Sequence, residues 1–248
     1  MFVDIRDEGI GQKIHDRLEY EPRETAVFRR HLRPGGTVVD IGANIGYFAV
    51  LAAGLVGQAG RVIAVEPEEY NFRLLRRNIR ANRLSNVTPV RSAVGAEPGT
   101  ATIYKSAANY GDHRLFAAGG PAHRAGQRVP IEPLDAILER VGTAKMVDFI
   151  KIDVQGYEHH VVRGMTALFR GDRHLTILTE FWPYGIREAG GSPEEYLETF
   201  ADAGFAAFLL EGDGTEREVP VTALPDHVPP VDPTEPDGSY INVLFRRT

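Results

Sequence analysis

The feature that most constrains the fold is a strand–turn–helix unit between Thr37 and Leu55, TVVDIGANIGYFAVLAAGL. Thr37 to Ile41 is a short apolar, β-branched run, which is typical of a strand buried on both faces. Small and polar residues follow from Gly42 to Gly46, and the Ala-rich apolar stretch after them predicts a helix packed on a sheet. Such a unit brings backbone close to a ligand and points helix N–H groups at it.

The residues of the turn indicate what kind of ligand it binds. Asn44 stands where the dinucleotide fingerprint has its second glycine, and Asp40 lies at the strand end, where a carboxylate would repel a diphosphate. A second apolar strand ends in Glu66, about 20 residues further on, where an acid can bind a ribose diol. Gly42 and Gly46 allow close backbone approach, and Asn44 can bond to the amino-acid part of a ligand. We therefore expect S-adenosylmethionine, and NAD is disfavoured.

Three segments carry a resemblance to a known family: VVDIGANIGYFAVLAA, VIAVEPEEYNFRLLRRNI and DFIKIDVQGYEHHVVRGM. Together they resemble the FkbM-type methyltransferases over roughly Tyr20 to Phe208. The first two segments are shared with most class I methyltransferases, whereas the third, and the loop NYGDHRL, are much narrower. The resemblance implies S-adenosylmethionine-dependent methylation, usually of oxygen on small sugar or polyketide substrates.

Composition limits the class of protein. The chain has 248 residues, 43% hydrophobic and 25% charged, which suits one sizeable α/β domain. The formal charge of −6 argues against a nucleic-acid partner bound by a basic surface. Because there is no cysteine, disulfides, thiolate nucleophiles and Cys-ligated zinc are excluded. We see no membrane span or signal peptide, and expect a cytoplasmic enzyme. The Ala, Arg, Gly and Pro bias indicates a GC-rich bacterial source.

The order of elements predicts an α/β fold of the Rossmann-like class I methyltransferase type. We expect a mainly parallel seven-stranded sheet flanked by helices, with the last strand antiparallel. Residues 1–36 form an N-terminal arm and covering helix, and residues 37–248 form the S-adenosylmethionine-binding domain. We see no internal repeat. The oligomeric state is open, with a homodimer as one option.

Several local signals predict individual elements. A strand is expected over 86–90, at a sheet edge because Pro89 lacks a ladder donor. Residues 105–128 are the least regular part, and loops of this length tend to be functional. Ser192 is expected to cap a helix that begins at Pro193. The remaining predictions are strands over 61–65, 99–104, 129–131, 146–152, 175–181, 205–210, 219–221 and 240–245, and helices over 23–32, 68–82, 134–141 and from Tyr157 through Met165.

Four further residues are predicted to lie near the cofactor. The resemblance places Tyr20 or Glu21 beside it, since a Tyr-Glu-Pro segment lies there in the family. It also places Ser92 and Ala93 against the adenine ring. Asp153 ends a core strand, and ligands of doubly wound sheets bind at the carboxyl ends of strands.

The catalytic group has competing candidates. Methyl transfer to a hydroxyl needs alignment and removal of a proton. His113 is a candidate base because its ordinary pKa of ~6.5 lies near working pH. Asp153, aided by Glu180, is the other candidate, and these two carboxylates could also hold Mg²⁺. The adjacent His159 and His160 point about 100° apart on a helix and make no joint metal site.

The acceptor is expected to be a small molecule, bound by variable loops that do not reveal its identity. The resemblance places a segment containing Asn109, Asp112 and Arg114 beside the active site. Trp182 and Tyr184 are candidates for an apolar wall. The main reading is an O-methyltransferase; the alternatives are a carboxyl- or N-methyltransferase, or a non-catalytic S-adenosylmethionine-binding subunit.

Overall fold

The computed structural model of the protein describes residues 1–17, 19–117, 123–143, 147–171, 173–212, 214–231 and 238–247. The strands are β1 Thr37–Ile41, β2 Arg61–Val65, β3 Val87–Val90, β4 Ala93–Val94, β5 Gly99–Ser106, β6 His123–Glu132, β7 Phe149–Ile152, β8 Leu175–Phe181, β9 Ala206–Leu210, β10 Glu216–Val219 and β11 Ile241–Arg247. The helices are α1 Gly11–Arg17, α2 Pro22–His31, α3 Tyr47–Val56, α4 Glu69–Ala81, α5 Leu134–Arg140, α6 Glu158–Arg163, α7 Thr166–Arg170, α8 Pro183–Glu188 and α9 Pro193–Asp202, with a 3₁₀ helix at Val221–His227.

The main sheet has the strand order β10-β9-β11-β8-β7-β1-β2-β3. Strands β3, β2, β1, β7 and β8 are parallel, whereas β11 runs antiparallel to both β8 and β9. The predicted fold class is confirmed. Within the described residues the sheet has eight strands rather than seven, because the short β10 adds to the outer edge of β9.

The central strand β1 is buried along its whole length, as its unbroken apolar run predicts. Val39 and Ile41 pack into the apolar cluster on the side of α5, α6 and α9. Val38 packs into the opposite cluster, with α2, α3 and α4. Asp40 lies on that second side, so β1 delivers a carboxylate into an otherwise apolar layer.

Two local predictions, the helix cap at Ser192 and the edge position of the strand that contains Pro89, are confirmed. Ser192 caps α9, because its hydroxyl accepts a hydrogen bond from the Glu195 N–H at 3.1 Å. Strand β3, which contains Pro89, lies at the sheet edge, where the missing N–H of proline costs no ladder bond.

Three local predictions are wrong. Residues 105–128 are not all irregular, since β6 begins at 123 and pairs with β5 in a second sheet of order β4-β6-β5; residues 118–122 lie outside the described residues. The strand expected over 219–221 ends at Val219, because Pro220 lacks an N–H for the ladder, and the 3₁₀ helix follows. The helix expected through Met165 ends at Arg163. Gly164 then passes so close to the Gly95 carbonyl oxygen that an added Cβ would lie 2.3 Å from it.

Candidate active site

The candidate site lies at the carboxyl ends of β1, β2, β7 and β8, where two adjoining cavities meet. The larger has a volume of about 290 Å³ and the smaller about 50 Å³. Gly42, Asn44, Gly111, Asp153 and Gln155 line both. This is the edge at which doubly wound sheets bind ligands.

The glycines of the turn are required by its geometry. Gly42 has φ +81°, and an added Cβ would lie 1.9 Å from the Asp153 carbonyl oxygen. Gly46 has φ +91°, and a Cβ there would meet the Leu75 side chain at 2.6 Å. The turn therefore threads between β7 and α4 with no room for side chains at these two positions.

Asn44 holds the turn together through its side chain. It has φ 48°, its Nδ2 donates to the Tyr110 carbonyl at 2.9 Å, and its Oδ1 accepts from the Ile45 N–H at 2.7 Å. Its backbone N–H donates to Glu66 Oε2 at 2.8 Å. The side chain expected to contact a ligand thus ties the turn to the loop that carries Tyr110, while its backbone lines the cavities.

Glu66 lines the smaller cavity at the end of β2. Its Oε1 accepts from the Glu68 N–H at 2.8 Å, and its Oε2 accepts from Asn44. Burial raises the pKa of the Glu66 carboxyl to about 8 despite these two bonds. Each oxygen retains a second acceptor site, which is what binding a ribose diol requires.

The other residues expected near adenine also line the smaller cavity. Ser92 and Ala93 are buried there, and the Ser92 hydroxyl donates to the Ala93 carbonyl at 2.9 Å. His113 lies on the same side, with its Nδ1 accepting from the Ser106 N–H at 3.2 Å. Burial lowers the pKa of His113, so the ring is neutral at neutral pH. The structure does not bring His113 to the larger cavity, where Glu180 lies.

Asp40 lies beneath the turn and lines the larger cavity. It is 1% exposed, and neither of its carboxylate oxygens makes a hydrogen bond of good geometry to the described residues, although the backbone N–H of Ala49 is close enough to favour its ionised form. Burial raises the pKa of Asp40 to about 6, with the positive charge of Lys151 opposing that rise. Burying a carboxylate without a hydrogen-bond donor costs free energy, and a ligand bound beside it would offset that cost.

Asp153 is engaged by two neighbours. Its Oδ2 accepts from Lys151 Nζ at 2.7 Å, and its Oδ1 accepts from Gln155 Nε2 at 2.8 Å. The Lys151 side chain is 5% exposed and its ammonium lies 4.7 Å from the Phe48 ring centre. Sequence reasoning missed Lys151, although a lysine inside a fully buried strand is a signal, since lysine is almost never buried unpaired.

Two more acidic residues, Glu180 and Glu21, line the larger cavity. Glu180, at the end of β8, has its pKa held well above the ordinary value by burial and by the negative charge of Asp153. Glu21 lines the cavity from the start of α2, and burial raises its pKa to about 7. Tyr20 lines it too, with its ring 5.8 Å from that of Tyr47.

The outer wall comes from the loop after β5 and the end of β8. Arg114 is buried, its Nε donates to Asp112 at 2.7 Å, and its guanidinium lies 5.0 Å from the Trp182 ring centre. These three side chains and Asn109 line the larger cavity. Tyr184 packs 6.0 Å from Trp182 but does not line either cavity.

The N-terminal arm supplies a part of the wall that sequence reasoning did not assign. Gly9, Ile10 and Lys13 line the larger cavity. Asp7 anchors this arm by accepting hydrogen bonds from the backbone N–H groups of Gly9, Ile10, Gly11 and Tyr110, at 3.0, 3.3, 2.9 and 2.9 Å. Asp7 and Tyr110 are 103 residues apart in the chain, and no local sequence pattern predicts a contact between them.

Two other candidates have structural roles. His159 Nδ1 accepts from the Ser192 N–H at 3.0 Å, and His160 Nε2 lies 2.9 Å from the Ala189 carbonyl oxygen. Glu158 also has a structural role, because its Oε1 accepts from the N–H groups of Val154 and Gly156, both at 3.2 Å.

The site does not fit Mg²⁺. Within the described ranges, no group of three or more His, Asp or Glu side chains could hold a metal ion. The ammonium of Lys151 lies against Asp153, one of the two expected ligands, and supplies the positive charge there. The proposed methyl transfer requires no metal ion.

The charges around the larger cavity do not balance. Its described lining includes five acids, Glu21, Asp40, Asp112, Asp153 and Glu180, against the three bases Lys13, Arg114 and Lys151. Two of the acids are in ion pairs with Arg114 and Lys151. The remaining surplus of carboxyl groups suits a ligand with a positive centre and provides groups that can accept a proton.

No helix within the described ranges is long and apolar enough to cross a membrane.

The chain is similar to known methyltransferases. The model of the methyltransferase FkbM domain matches residues 40–207. "Methyltransferase 1" of Beauveria bassiana is 27% identical over 213 residues, covering 78% of this chain and 76% of that protein. A probable cobalt-precorrin-6B C(15)-methyltransferase of Saccharolobus solfataricus is 31% identical over 119 residues, covering 45% of this chain and 56% of that protein.

The fold has solved counterparts. A putative O-methyltransferase from Klebsiella pneumoniae superposes with a TM-score of 0.51 at 14% identity, covering 94% of this chain and 82% of that one. At this identity the likeness concerns the fold alone. The family match begins at Asp40, near the end of β1, and includes the glycine turn and Asp153. The chain therefore belongs to the FkbM methyltransferase family and is an S-adenosylmethionine-dependent methyltransferase.

Proposed function

We propose that the protein transfers the methyl group of S-adenosylmethionine to a hydroxyl of a small molecule such as a sugar or polyketide-type natural product. The observation that carries the proposal is the group of carboxyl side chains on the larger cavity, next to the glycine turn. A hydroxyl acceptor must lose a proton, and carboxylates held at the reacting centre can take it. The cavity of about 290 Å³ suits a small acceptor.

The described residues fit the cofactor. Asp40 offers an unpartnered carboxylate to a positive centre, and the smaller cavity offers Glu66 to a ribose and the Ser92–Ala93 backbone to a purine edge. Tyr20 and Gly42 close the larger cavity beside them. When bound, S-adenosylmethionine supplies a methyl group already activated by a sulfonium.

The acceptor side is assigned to the outer wall. Trp182 offers an apolar ring and Arg114, held by Asp112, offers a positive edge for orienting the acceptor. Asp153 and Glu180 lie on the floor beneath that wall. In this assignment Asp153 and Glu180 form hydrogen bonds with the methyl acceptor, and the outer wall excludes water from the reacting centre.

A second candidate is methylation of an amine. The surplus of carboxyl groups in the larger cavity would also hold a cationic amine before it loses its proton. A purely non-catalytic binding subunit has no need of a buried Lys151–Asp153 pair and is disfavoured.

Calorimetric titration tests the proposal. We expect the wild type to bind S-adenosylmethionine and not NAD, and Glu66→Ala to weaken binding about ten- to a hundredfold, which corresponds to the loss of about one strong hydrogen bond. Glu97→Ala is the matched control, because Glu97 is exposed and lies outside both cavities.

The same protein is then offered polyhydroxylated and amine acceptors, with release of S-adenosylhomocysteine as the readout. Turnover with hydroxyl acceptors supports O-methylation, and turnover with amines alone transfers support to the second candidate. Failure to bind S-adenosylmethionine, or a preference for NAD, refutes the assignment of the two cavities.

A further inference from the structure

The backbone before α2 is strained at a residue whose side chain faces the larger cavity. Glu21 has φ 43° and ψ 72°, in the left-handed region, and precedes Pro22. This region is unfavourable for a residue with a side chain, and the residue before a proline is restricted further. Residues held in such conformations cluster at functional sites, where the surrounding structure maintains them.

The surroundings maintain this turn firmly. The Thr25 N–H donates to the Glu21 carbonyl at 2.8 Å, and the Thr25 hydroxyl donates to the Tyr20 carbonyl at 2.9 Å. An acidic side chain just before a helix ordinarily caps its N–H groups, but Glu21 makes no such bond to α2. The strain therefore does not serve the helix; it directs the carboxyl group into the cavity.

The other carboxyl groups of the cavity are less suited to take a proton. Asp153 already accepts from Lys151 and Gln155, one bond on each oxygen. Glu180 has its pKa held well above the ordinary value by burial and by the charge of Asp153, so its ionised form, the one that takes a proton, is disfavoured. Asp40 lies beneath the glycine turn, on the side assigned to the cofactor.

Glu21 faces a mixed set of charges. Burial raises its pKa to about 7, the charge of Lys151 and a hydrogen bond from the Tyr20 hydroxyl oppose that rise, and neighbouring acids add to it. The titratable groups that act on it or that it acts on are Tyr20, Glu24, Lys151, Asp153, Glu180 and Tyr240. A proton acceptor is most effective when its pKa lies near the working pH.

We propose that Glu21 is the proton acceptor of the methyl transfer, set in the larger cavity by the strained turn that precedes α2. This rests on the proposed function. As the acceptor oxygen forms its bond to the methyl carbon, its O–H bond breaks and the proton passes to the Glu21 carboxylate. The carbon–sulfur bond breaks at the same time, and its electron pair stays on sulfur. Lys151 stabilises the ionised carboxylate before the transfer.

The test compares Glu21→Gln, Glu21→Gly and the wild type on whichever hydroxyl acceptor the screen yields. We expect both variants to bind S-adenosylmethionine within about threefold of the wild type by calorimetry. Turnover should fall by roughly 10²- to 10⁴-fold, the usual contribution of a positioned base. The wild-type rate should decline as the pH falls below about 7, and this limb should be absent in Glu21→Gln.

Two readouts separate catalysis from structure. Added formate should restore part of the turnover of Glu21→Gly, where it can replace the missing carboxylate, and not that of Glu21→Gln. Glu21→Gly should also melt at a higher temperature than the wild type, because glycine adopts this φ without strain. Glu97→Gln is the control, because Glu97 is exposed and lies outside both cavities. Its turnover should stay within a few-fold of the wild type.

The possible results distinguish the role of Glu21 from the proposed function itself. Turnover of Glu21→Gln within threefold of the wild type, or no rescue by formate, overturns the role of Glu21 while leaving O-methylation in place. A wild type that binds S-adenosylmethionine but methylates no hydroxyl overturns the role too, because the role is removal of a hydroxyl proton. A wild type that does not bind S-adenosylmethionine refutes the proposed function itself.

Discussion

The Asp7 carboxylate joins the N-terminal arm to the loop that carries Tyr110, and replacing it with alanine should release both. Four backbone N–H groups, those of Gly9, Ile10, Gly11 and Tyr110, lose their acceptor in Asp7→Ala. A hydrogen bond to a charged group contributes roughly 1.5–3 kcal/mol, so the four together could reach roughly 6–12 kcal/mol.

The full sum will not appear in global stability. Once the arm opens, water can satisfy the exposed N–H groups, so the loss is limited to the free energy of docking the arm. Even a loss of about 3 kcal/mol would favour the open arm about a hundredfold. The main sheet makes none of these four bonds, so we expect the melting temperature to change little.

Hydrogen–deuterium exchange measured by mass spectrometry tests this directly. In Asp7→Ala, peptides covering 1–17 and 106–113 should exchange about a hundredfold faster, whereas peptides covering β1 and β7 should not change. Asp7→Asn keeps one acceptor oxygen and should give an intermediate rate. Asp16→Ala, an exposed acid on α1, is the control. Unchanged protection of 106–113 in Asp7→Ala would refute the idea that this carboxylate couples the two segments.

The remaining predictions concern the turn and the charges beneath it. Gly42→Ala should destabilise the protein by more than about 2 kcal/mol and abolish cofactor binding, because φ is +81° and the new Cβ would lie 1.9 Å from the Asp153 carbonyl oxygen; Gly54→Ala, with open space on α3, should instead stabilise by roughly 0.5–1 kcal/mol in urea unfolding. Burial raises the pKa of Asp40 to about 6, so its folded-state value exceeds the unfolded one and the ligand-free protein should lose stability as the pH rises from about 4 to 6. Asp40→Asn should flatten that part of a stability–pH curve, and an unchanged slope would contradict the burial argument. Mg²⁺ should not tighten S-adenosylmethionine binding in calorimetry, because Lys151 already neutralises Asp153.

The parts of the fold that sequence predicts well are those with one dominant signal. The bounds of β1 and β2 agree with prediction because central parallel strands carry unbroken apolar runs. The start of α9 agrees because Ser192 and Pro193 specify a helix end locally. Only residues 129–131 of β6 were predicted as a strand, because Val129 and Ile131 carry its apolar signal, whereas residues 123–128 are mostly polar and lie in a small separate sheet.

The site was predicted in outline for a similar reason. Asp40, Glu66 and Asp153 stand at strand ends, and topology alone brings strand ends together. Lys151 lies within a buried strand rather than at a strand end, so topology does not single it out, although its charge requires a partner. The conformation of Glu21 has no sequence signature, because a left-handed residue before a proline contradicts local preference and exists only where tertiary contacts impose it.

The surplus of carboxyl groups in the larger cavity has a consequence for the order of events in a catalytic cycle. A sulfonium ligand carries a positive charge that the thioether formed by methyl transfer lacks. Because burial raises the pKa of Asp40 to about 6, a cation bound beside it lowers that pKa and releases its proton, which returns when the charge is gone. The acidic lining of the cavity thus favours the positively charged methyl donor over the uncharged thioether that methyl transfer leaves. It also couples each exchange of cofactor to uptake and release of protons.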